Sequence, residues 1–484
     1  MLQGRKGSWW WVDKKALSVH CCPLSVDRTQ ALVCFGERKT VNGKRFKMLK
    51  SFKIITLGCK VNQYESAFIE ESLITKGCQK ASQDTEAELV VINTCIVTAK
   101  ASYQSRQAIR RAVRENPEAI IAAIGCYGQV FPEELSLISG VNLIAGNTGK
   151  SSFPDLLVQT SHYNPPRILR EEFRDPIPFE QVPIKRFGSR TRAFLKIQDG
   201  CESFCSYCIV PKARGPLRSL EPDKVIRNMR DLEENGYKEV VLTGVHLGKY
   251  GSDLRNGINL NQLLLEIGKN RSNLRIRLSS LEPNEIDSEL VELMATHTWL
   301  CRHFHISLQN GDDSVLKRMN RHYSAKLFTK VVKDITGLVP KVSIGVDVLV
   351  GFPGETEGAF NNTFTLLEDL PIGYMHVFPY SKREGTPAAK FSDQLDYRKT
   401  KERALVLRCL DKKKRKIFWS SLVGETFDVL TEGWAPGEKN LLRGLSDNYV
   451  RFTFLSEKMS ANEIVKVRAR GVTEEGVSAR RLLD

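Results

Sequence analysis

The sequence predicts an α/β chain in three folded parts: an open parallel sheet, a barrel-like run of strand and helix units, and a small OB-like β-barrel. Three observations predict it. Apolar, β-branched runs alternate with helical patterns over residues 50–165, and again over 191–416. Between them, residues 166–190, around NPPRILREEFRDPIPFEQVP, are rich in Pro, Arg and Phe without periodicity and read as an interdomain linker. Over 420–484 the helical period gives way to short strands. A length of 484 residues implies two to four domains.

Residues 1–47 stand apart. They hold consecutive Trp9, Trp10 and Trp11, adjacent Cys21 and Cys22, and ten Lys/Arg against three Asp/Glu. Met48 opens MLKSFKIITLGCKVNQYES, which reads as a clean start. The expectation is that Met48 is the native initiator and that 1–47 is a misassigned or disordered extension; an organelle transit peptide is the weaker competitor. Strands are expected at 52–57, 89–92 and 119–124, with helices at 64–76, ending at Gly77, and 102–115, stopped by Pro117. Each strand runs into a cysteine: Gly58-Cys59, Thr94-Cys95 and Gly125-Cys126. Ligands of open parallel sheets gather at the carboxyl ends of the strands. Three thiols from three loops can therefore converge on one point. Buried cysteine is common in cores, so it is the repetition that favours a cluster site.

In the middle part a strand at 194–197 enters KIQDGCESFCSYCIVPKARG. A helix at 222–235 follows, then an apolar run at 239–242 ending in Thr243-Gly244, which makes a βαβ unit. Further strands are expected at 275–280, 304–308, 343–350 and 375–378. The CxxxCxxC spacing of Cys201, Cys205 and Cys208 supplies three thiolates from one loop. They suffice for three irons of a [4Fe–4S] cube and leave the fourth iron open to S-adenosylmethionine. Zinc is the competing reading, but structural zinc takes four closed ligands, and the next His and Cys along the chain are His246 and Cys301. Gly244, Ser279, Glu282, Gln309 and Asp347 are placed at strand C-terminal ends, where barrel ligands gather, and are candidate cofactor contacts. Strand-end capping accounts for each singly almost as well. Val346 and Phe352 read as packing residues, and His303 and His305 as ordinary strand histidines. The loop Gly351-Phe352-Pro353-Gly354-Glu355-Thr356 lacks the GK[ST] ending of a P-loop, which excludes nucleotide hydrolysis there. Cys78, Cys301, Cys409, Cys21, Cys22 and Cys34 read as structural or incidental. In the last part, strands are expected at 426–430, 449–453 and 464–472.

A hydrophobic content of 41% is that of a soluble globular protein. No run approaches the roughly 20 apolar residues of a membrane span, and the N-terminus has no apolar signal region. Twelve cysteines without such a signal point to a reducing compartment, the cytoplasm, and to metal chemistry. The net charge is +16. Residues 398–416 hold ten Lys/Arg against two acids, a candidate phosphate-facing surface that a solvated helix face explains equally well. Arg106, Arg110, Arg111 and Arg114 share one helix face.

The stretches TLGCKVNQYES, NTCIVTAKASYQSRQAIRRA, GCYGQ, CSYCIVPKARGPLRS, VGFPGETEGAF and HVFPYSKREGTPAA together resemble the methylthiotransferase family of radical-SAM enzymes, over residues 51–484. The resemblance implies an N-terminal methylthiotransferase domain at 50–165, a radical-SAM partial (β/α)6 barrel at 191–416 and a TRAM domain at 420–484. It puts Cys59, Cys95, Cys126, Cys201, Cys205 and Cys208 in register with six family ligands of two [4Fe–4S] clusters, and Tyr207 in the aromatic position before the last cysteine. Lys60-Val61 after the first cysteine is similar to the MtaB type, which implies conversion of N6-threonylcarbamoyladenosine beside the tRNA anticodon to its 2-methylthio derivative. The MiaB type, acting on isopentenylated adenosine, and the RimO type, acting on a ribosomal-protein aspartate, are the alternatives. A zinc- or RNA-binding protein without catalysis is the alternative of another class. In the implied chemistry one S-adenosylmethionine gives the methyl group, a second gives a 5′-deoxyadenosyl radical at Cys201/Cys205/Cys208, and sulfur is delivered at Cys59/Cys95/Cys126. The implied partners are a tRNA anticodon stem-loop, a low-potential electron donor and a sulfur source, with no membrane. For the RNA the candidates are the TRAM barrel, the four arginines from Arg106 to Arg114, and Lys412, Lys413, Lys414 and Arg415. Two positions depart from the family pattern: Asn310 where Ser is usual, with an expected slight effect on cofactor hydrogen bonding, and Leu220 where Arg is usual.

Overall fold

The computed structural model describes residues 49–82, 85–173, 177–188, 190–270, 273–458 and 461–482. The expectations for residues 1–47 and for Met48 lie outside them. Strands β1 (Ser51–Thr56), β2 (Gln79–Lys80), β3 (Leu89–Thr94), β4 (Ile120–Gly125), β5 (Leu143–Ala145) and β6 (Arg167–Leu169) form a parallel sheet in the order β2-β1-β3-β4-β5-β6. Alternate residues of β3 and β4 enter two separate cores: Val90, Ile92, Ile121 and Ala123 on one face, Leu89, Val91, Ile120 and Ala122 on the other. Helices on both faces explain why these strands are apolar throughout.

The helices begin earlier than expected. Helix α1 (Lys60–Thr75) starts directly after Cys59, and α2 (Ala99–Glu115) is capped by Thr98, whose side chain accepts from the N–H of Ala101. Strand β6 lies within the predicted linker. Val182, Ile184 and Phe187 are buried there, and the Tyr64 hydroxyl donates to the Val182 carbonyl at 2.6 Å. Residues 166–190 thus include a packed strap rather than a free tether.

The middle part holds β7 (Arg192–Lys196), an antiparallel pair β8 (Gln198–Asp199) and β9 (Arg218–Ser219), then β10 (Glu239–Thr243), β11 (Arg275–Leu278), β12 (His303–Gln309), β13 (Ser343–Val350) and β14 (Tyr374–Pro379). Two parallel triplets, β7-β10-β11 and β12-β13-β14, meet through the bridges Ile276–Leu300 and Leu281–Ile306. This is the expected six-stranded partial barrel. Val346 and Phe352 are fully buried, and Leu220 sits in the same apolar core as Val346.

Strands β15 (Thr426–Trp434), β16 (Leu441–Ser446), β17 (Arg451–Leu455), β18 (Ile464–Val472) and β19 (Val477–Arg481) close a small barrel in the order β15-β16-β17-β19-β18. It docks on β11. Arg275 donates to the carbonyls of Asp428 at 3.1 Å and Leu445 at 2.8 Å, and Arg277 to those of Asp447 at 2.8 Å and Ser446 at 3.0 Å. Glu239 of β10 pairs with both arginines. Among the described residues no helix is long and apolar enough to cross a membrane.

Candidate functional site

Strands β1, β3 and β4 are neighbours and parallel, so the residues that follow them meet at one sheet edge. The thiols of Cys59, Cys95 and Cys126 are close enough to feel one another's charge. Gly58 has φ +95°, and a Cβ there would lie 2.8 Å from the Cys95 Sγ, so the backbone turn beside the thiols admits no side chain. Asn62, in the first turn of α1, donates to the carbonyls of Leu57 at 2.8 Å and Thr94 at 3.0 Å, tying the first loop to the second. The Thr94 hydroxyl donates to the Ile124 carbonyl at 2.6 Å and accepts from the Tyr127 N–H at 3.2 Å, tying the second to the third. Asn147 donates to Cys126 Sγ at 3.4 Å. Cys59 is accessible to solvent, while Cys95 and Cys126 are buried. Burial pushes the Cys95 thiol up to about 12 and also raises Cys59; the Arg214 guanidinium opposes both shifts.

Arg214 follows the other cysteine loop and reaches across. It donates to Asn62 Oδ1 at 2.6 Å and to both Glu65 oxygens at 2.6 and 3.1 Å. Glu65 also pairs with Lys150 and Lys196, and Lys196 with Asp199. Arg218 also lies 3.7 Å from Asp199, so four buried cations around two buried carboxylates leave positive charge next to the thiols.

Cys201, Cys205 and Cys208 likewise lie within range of one another. Burial pushes Cys208 up to about 12 and Cys205 up to about 11. Cys201 goes the other way: burial raises it, but His246 and Ser203 outweigh burial and lower it. The His246 Nδ1 lies 3.5 Å from Cys201 Sγ and 3.1 Å from Ser203 Oγ, and Nε2 lies 2.5 Å from Glu285 Oε1. His246 is distant from Cys201 along the chain, and the fold brings the two together. It contacts one thiol and spends its other nitrogen on Glu285, so it does not close a fourth position around all three.

These donors fit iron–sulfur clusters: two sets of three soft thiols, with Arg214 beside one set and Arg321 beside the other to offset thiolate charge. The candidate cofactor contacts divide. The Ser279 Oγ is buried with no hydrogen-bond partner, as a ligand contact requires. Tyr207 accepts from Arg321 at 2.7 Å, and Arg321 also pairs with Glu282, which caps a short helical turn with Glu285. Gln309 sits at a β-bulge with φ +65°, a strained conformation for a residue with a side chain. Gly244 faces Gln198, whose Oε1 would lie 2.8 Å from an added Cβ, so packing accounts for that glycine. Asp347 is a correction: it lies mid-strand in β13, not at the strand end. It accepts from His305 Nε2 at 2.9 Å and lies 3.3 Å from His376 Nδ1. Burial raises its carboxyl, but these two histidines outweigh burial and hold it well below the usual range. His303 and His305 are buried strand histidines that share the Tyr374 hydroxyl at 2.8 and 2.9 Å, and His305 also joins the Asp347 set. Asn310 is buried and bonds Glu355 at 2.8 Å and Thr363 at 3.1 Å, so it braces the loop after β13 rather than a cofactor. Lys60 is half-buried; burial, with the charges of Arg277 and Arg192, pushes it down to about 8.

The candidate RNA residues also divide. Arg110 and Arg114 of α2 are exposed, Arg111 pairs with Glu115 at 2.7 Å, and Arg106 is tied to Tyr127 and Glu134. In the helix Tyr397–Ser420, Lys412 is exposed and Lys413 pairs with Glu368. Lys414 is buried, bonded to the carbonyls of Glu368 and Leu370, and Arg415 pairs with Asp411 over the Tyr374 ring. Lys414 and Arg415 therefore hold the helix to the barrel, and the expectation that they face RNA is corrected. Sequence reasoning missed Asn62, Glu65, Arg214, His246 and Arg321. The first three stand inside the cysteine-bearing stretches, which was a usable signal; the other two lie far along the chain.

A partial parallel barrel with three thiols after its first strand defines a radical-SAM protein. The description "Radical SAM superfamily" matches residues 195–367, and "Uncharacterized protein family UPF0004" matches 51–146. The threonylcarbamoyladenosine tRNA methylthiotransferases MtaB of Bacillus subtilis and Aquifex aeolicus are 38% and 40% identical over 85% and 82% of this chain, covering 92% and 94% of those proteins. A tRNA-2-methylthio-N(6)-dimethylallyladenosine synthase of Clostridium botulinum is 31% identical over 88% of the chain and 96% of its own. The radical S-adenosylmethionine methyltransferase TsrM from Kitasatospora setae shares the fold, with a TM-score of 0.51 at 14% identity over 70% of this chain and 74% of its own. The chain belongs to the methylthiotransferase family of radical-SAM enzymes, MtaB type.

Proposed function

We propose that the chain converts N6-threonylcarbamoyladenosine beside the tRNA anticodon to its 2-methylthio derivative. The observation that carries the reaction class is the convergence of two sets of three thiols on one chain. The substrate rests on the names of its MtaB relatives. Cys59, Cys95 and Cys126 would hold one [4Fe–4S] cluster, and Cys201, Cys205 and Cys208 a second that takes S-adenosylmethionine. When bound, these groups supply the one-electron chemistry and the sulfur that replacement of an aromatic C–H requires.

The protein's own part is positioning. His246 lowers the pKa of the Cys201 thiol, and Arg214 offsets charge beside the other thiols. Ser279, Tyr207 and the Arg321–Glu282 pair are the cofactor contacts this reading favours. It divides the chain at 50–165, 191–416 and 420–484, and places it in the cytoplasm with a low-potential electron donor and a sulfur source. The target base must leave its stack to present C2. An N6-isopentenyladenosine substrate is the second reading, supported by the Clostridium botulinum relative at lower identity. Anaerobic reaction of the reconstituted protein with anticodon stem-loops bearing either base is the test. Product on the threonylcarbamoyl RNA is expected; product confined to the isopentenyl RNA contradicts the substrate assignment.

A further inference from the structure

Lys60 opens α1 next to Cys59, and its ammonium is within electrostatic range of that thiol and of charged groups of the partial barrel. On the barrel side its charge is felt along with those of Arg192, Arg277, His303 and Asp347. The other charges there are matched. Asp347 is occupied by His305 and His376. Glu239 is shared by Arg275 and Arg277, and the remaining donors of Arg277 go to the carbonyls of Ser446 and Asp447. Arg192 pairs with Glu432 at 3.1 Å. Among the described residues Lys60 has neither an ion-pair partner nor a side-chain hydrogen bond. A half-buried ammonium whose neighbouring carboxylates are already engaged is a site for an anion brought from outside.

The argument now rests on the threonylcarbamoyl substrate proposed above. That base carries on N6 a threonine with a free α-carboxylate, while its C2 must approach the thiol set in which Cys59 is the solvent-accessible member. An adenine ring spans C2 to N6 within a few ångströms, so a base whose C2 faces Cys59 can bring its N6 substituent within reach of Lys60. We infer that Lys60 binds the threonyl carboxylate and thereby selects a threonylcarbamoyl group over an uncharged N6 substituent. Asp347, the acid on this path, is already engaged by His305 at 2.9 Å and lies 3.3 Å from His376. Lys60 is a specificity residue in this account; it takes no part in bond making.

The test measures anaerobic equilibrium binding of anticodon stem-loop RNA bearing N6-threonylcarbamoyladenosine or the corresponding threoninamide, in which the carboxylate is neutral. Wild type, Lys60→Gln and Lys60→Arg are compared after iron analysis establishes an equal cluster content. Wild type should bind the acid roughly ten- to a hundredfold more tightly than the amide, the range of a hydrogen bond to a charged group. Lys60→Gln should bind the two alike, and Lys60→Arg should keep most of the preference. A wild type indifferent to the carboxylate, or a Lys60→Gln variant that keeps the full preference, overturns the inference. The wild-type comparison needs no variant to fold. Product analysis separates the two levels. Methylthiolation of isopentenyl RNA alone overturns the substrate reading, whereas equal conversion of acid and amide leaves that reading standing and overturns the role of Lys60.

Discussion

Arg214 joins three things that are far apart in sequence: the loop of Cys201, the first turn of α1 through Asn62, and the buried carboxylate of Glu65. Replacing it by Met removes charge beside the Cys59/Cys95/Cys126 thiols and one of Glu65's partners, while Lys150 and Lys196 remain. The expected cost is about 3 kcal/mol, toward the lower end for a broken buried pair, read from the shift of the urea unfolding midpoint. Gly58→Ala acts more locally. Its Cβ would meet Cys95 at 2.8 Å in a backbone conformation that disfavours side chains. The variant should keep its far-ultraviolet spectrum and hold about four irons per chain instead of about eight; full iron content would contradict the packing described. At this scale the six cysteines were legible because their pattern is repeated and spaced. The residues that tune them were less so. Asn62, Glu65 and Arg214 carry polar chemistry within the same stretches, but His246 reaches Cys201 by tertiary folding that no local pattern encodes. Asp347 was placed at a strand end although the expected strand, 343–350, has the bounds observed and already ran past it.

Among the elements, β10 and β11 show how charge latches the C-terminal barrel in place. Glu239 holds Arg275 and Arg277, and both arginines donate to carbonyls of β15, β16 and the turn after it. Burial alone would raise the Glu239 carboxyl, but Arg277 and Arg275 outweigh it and bring it down from 4.5 to about 2. A depressed carboxyl stabilises the fold above its unfolded value, and that stability is lost as pH falls from about 4.5 through about 2. The contribution is on the order of 3 kcal/mol at neutral pH. Unfolding measured at pH 7 and at pH 3 should show this loss, and Glu239→Gln should flatten that part of the profile; an unchanged profile contradicts it. The helix Tyr397–Ser420 separates two roles that its composition merges. Lys412→Glu should weaken tRNA binding several-fold with little effect on stability, whereas Lys414→Ala should lower stability, because Lys414 bonds buried carbonyls. Filter binding and thermal unfolding of both variants distinguish these outcomes. The long apolar strands were readable from sequence. β2, β5 and β6 were not, since two or three residues show no period, and β16 was obscured by Gly444, where an added Cβ would lie 2.5 Å from the Leu430 carbonyl oxygen.

For the whole molecule, the two thiol sets come from two sheets, and buried side chains hold those sheets together. Arg214 bonds Asn62, Tyr64 bonds Val182, and Arg383 bonds the Ile96 carbonyl and Ser102. The stretch read as a linker contributes to this joint, because apolar Val182 and Phe187 are buried in the core of the partial barrel. On this reading the assembly methylthiolates threonylcarbamoyladenosine in tRNA. The most direct test is nucleoside mass spectrometry of tRNA from a bacterium lacking its own methylthiotransferases and expressing this chain. The account predicts 2-methylthio-N6-threonylcarbamoyladenosine, abolished by Cys-to-Ala changes at Cys59 or Cys201. Unmodified N6-threonylcarbamoyladenosine in cells whose expressed protein carries its full iron would contradict it.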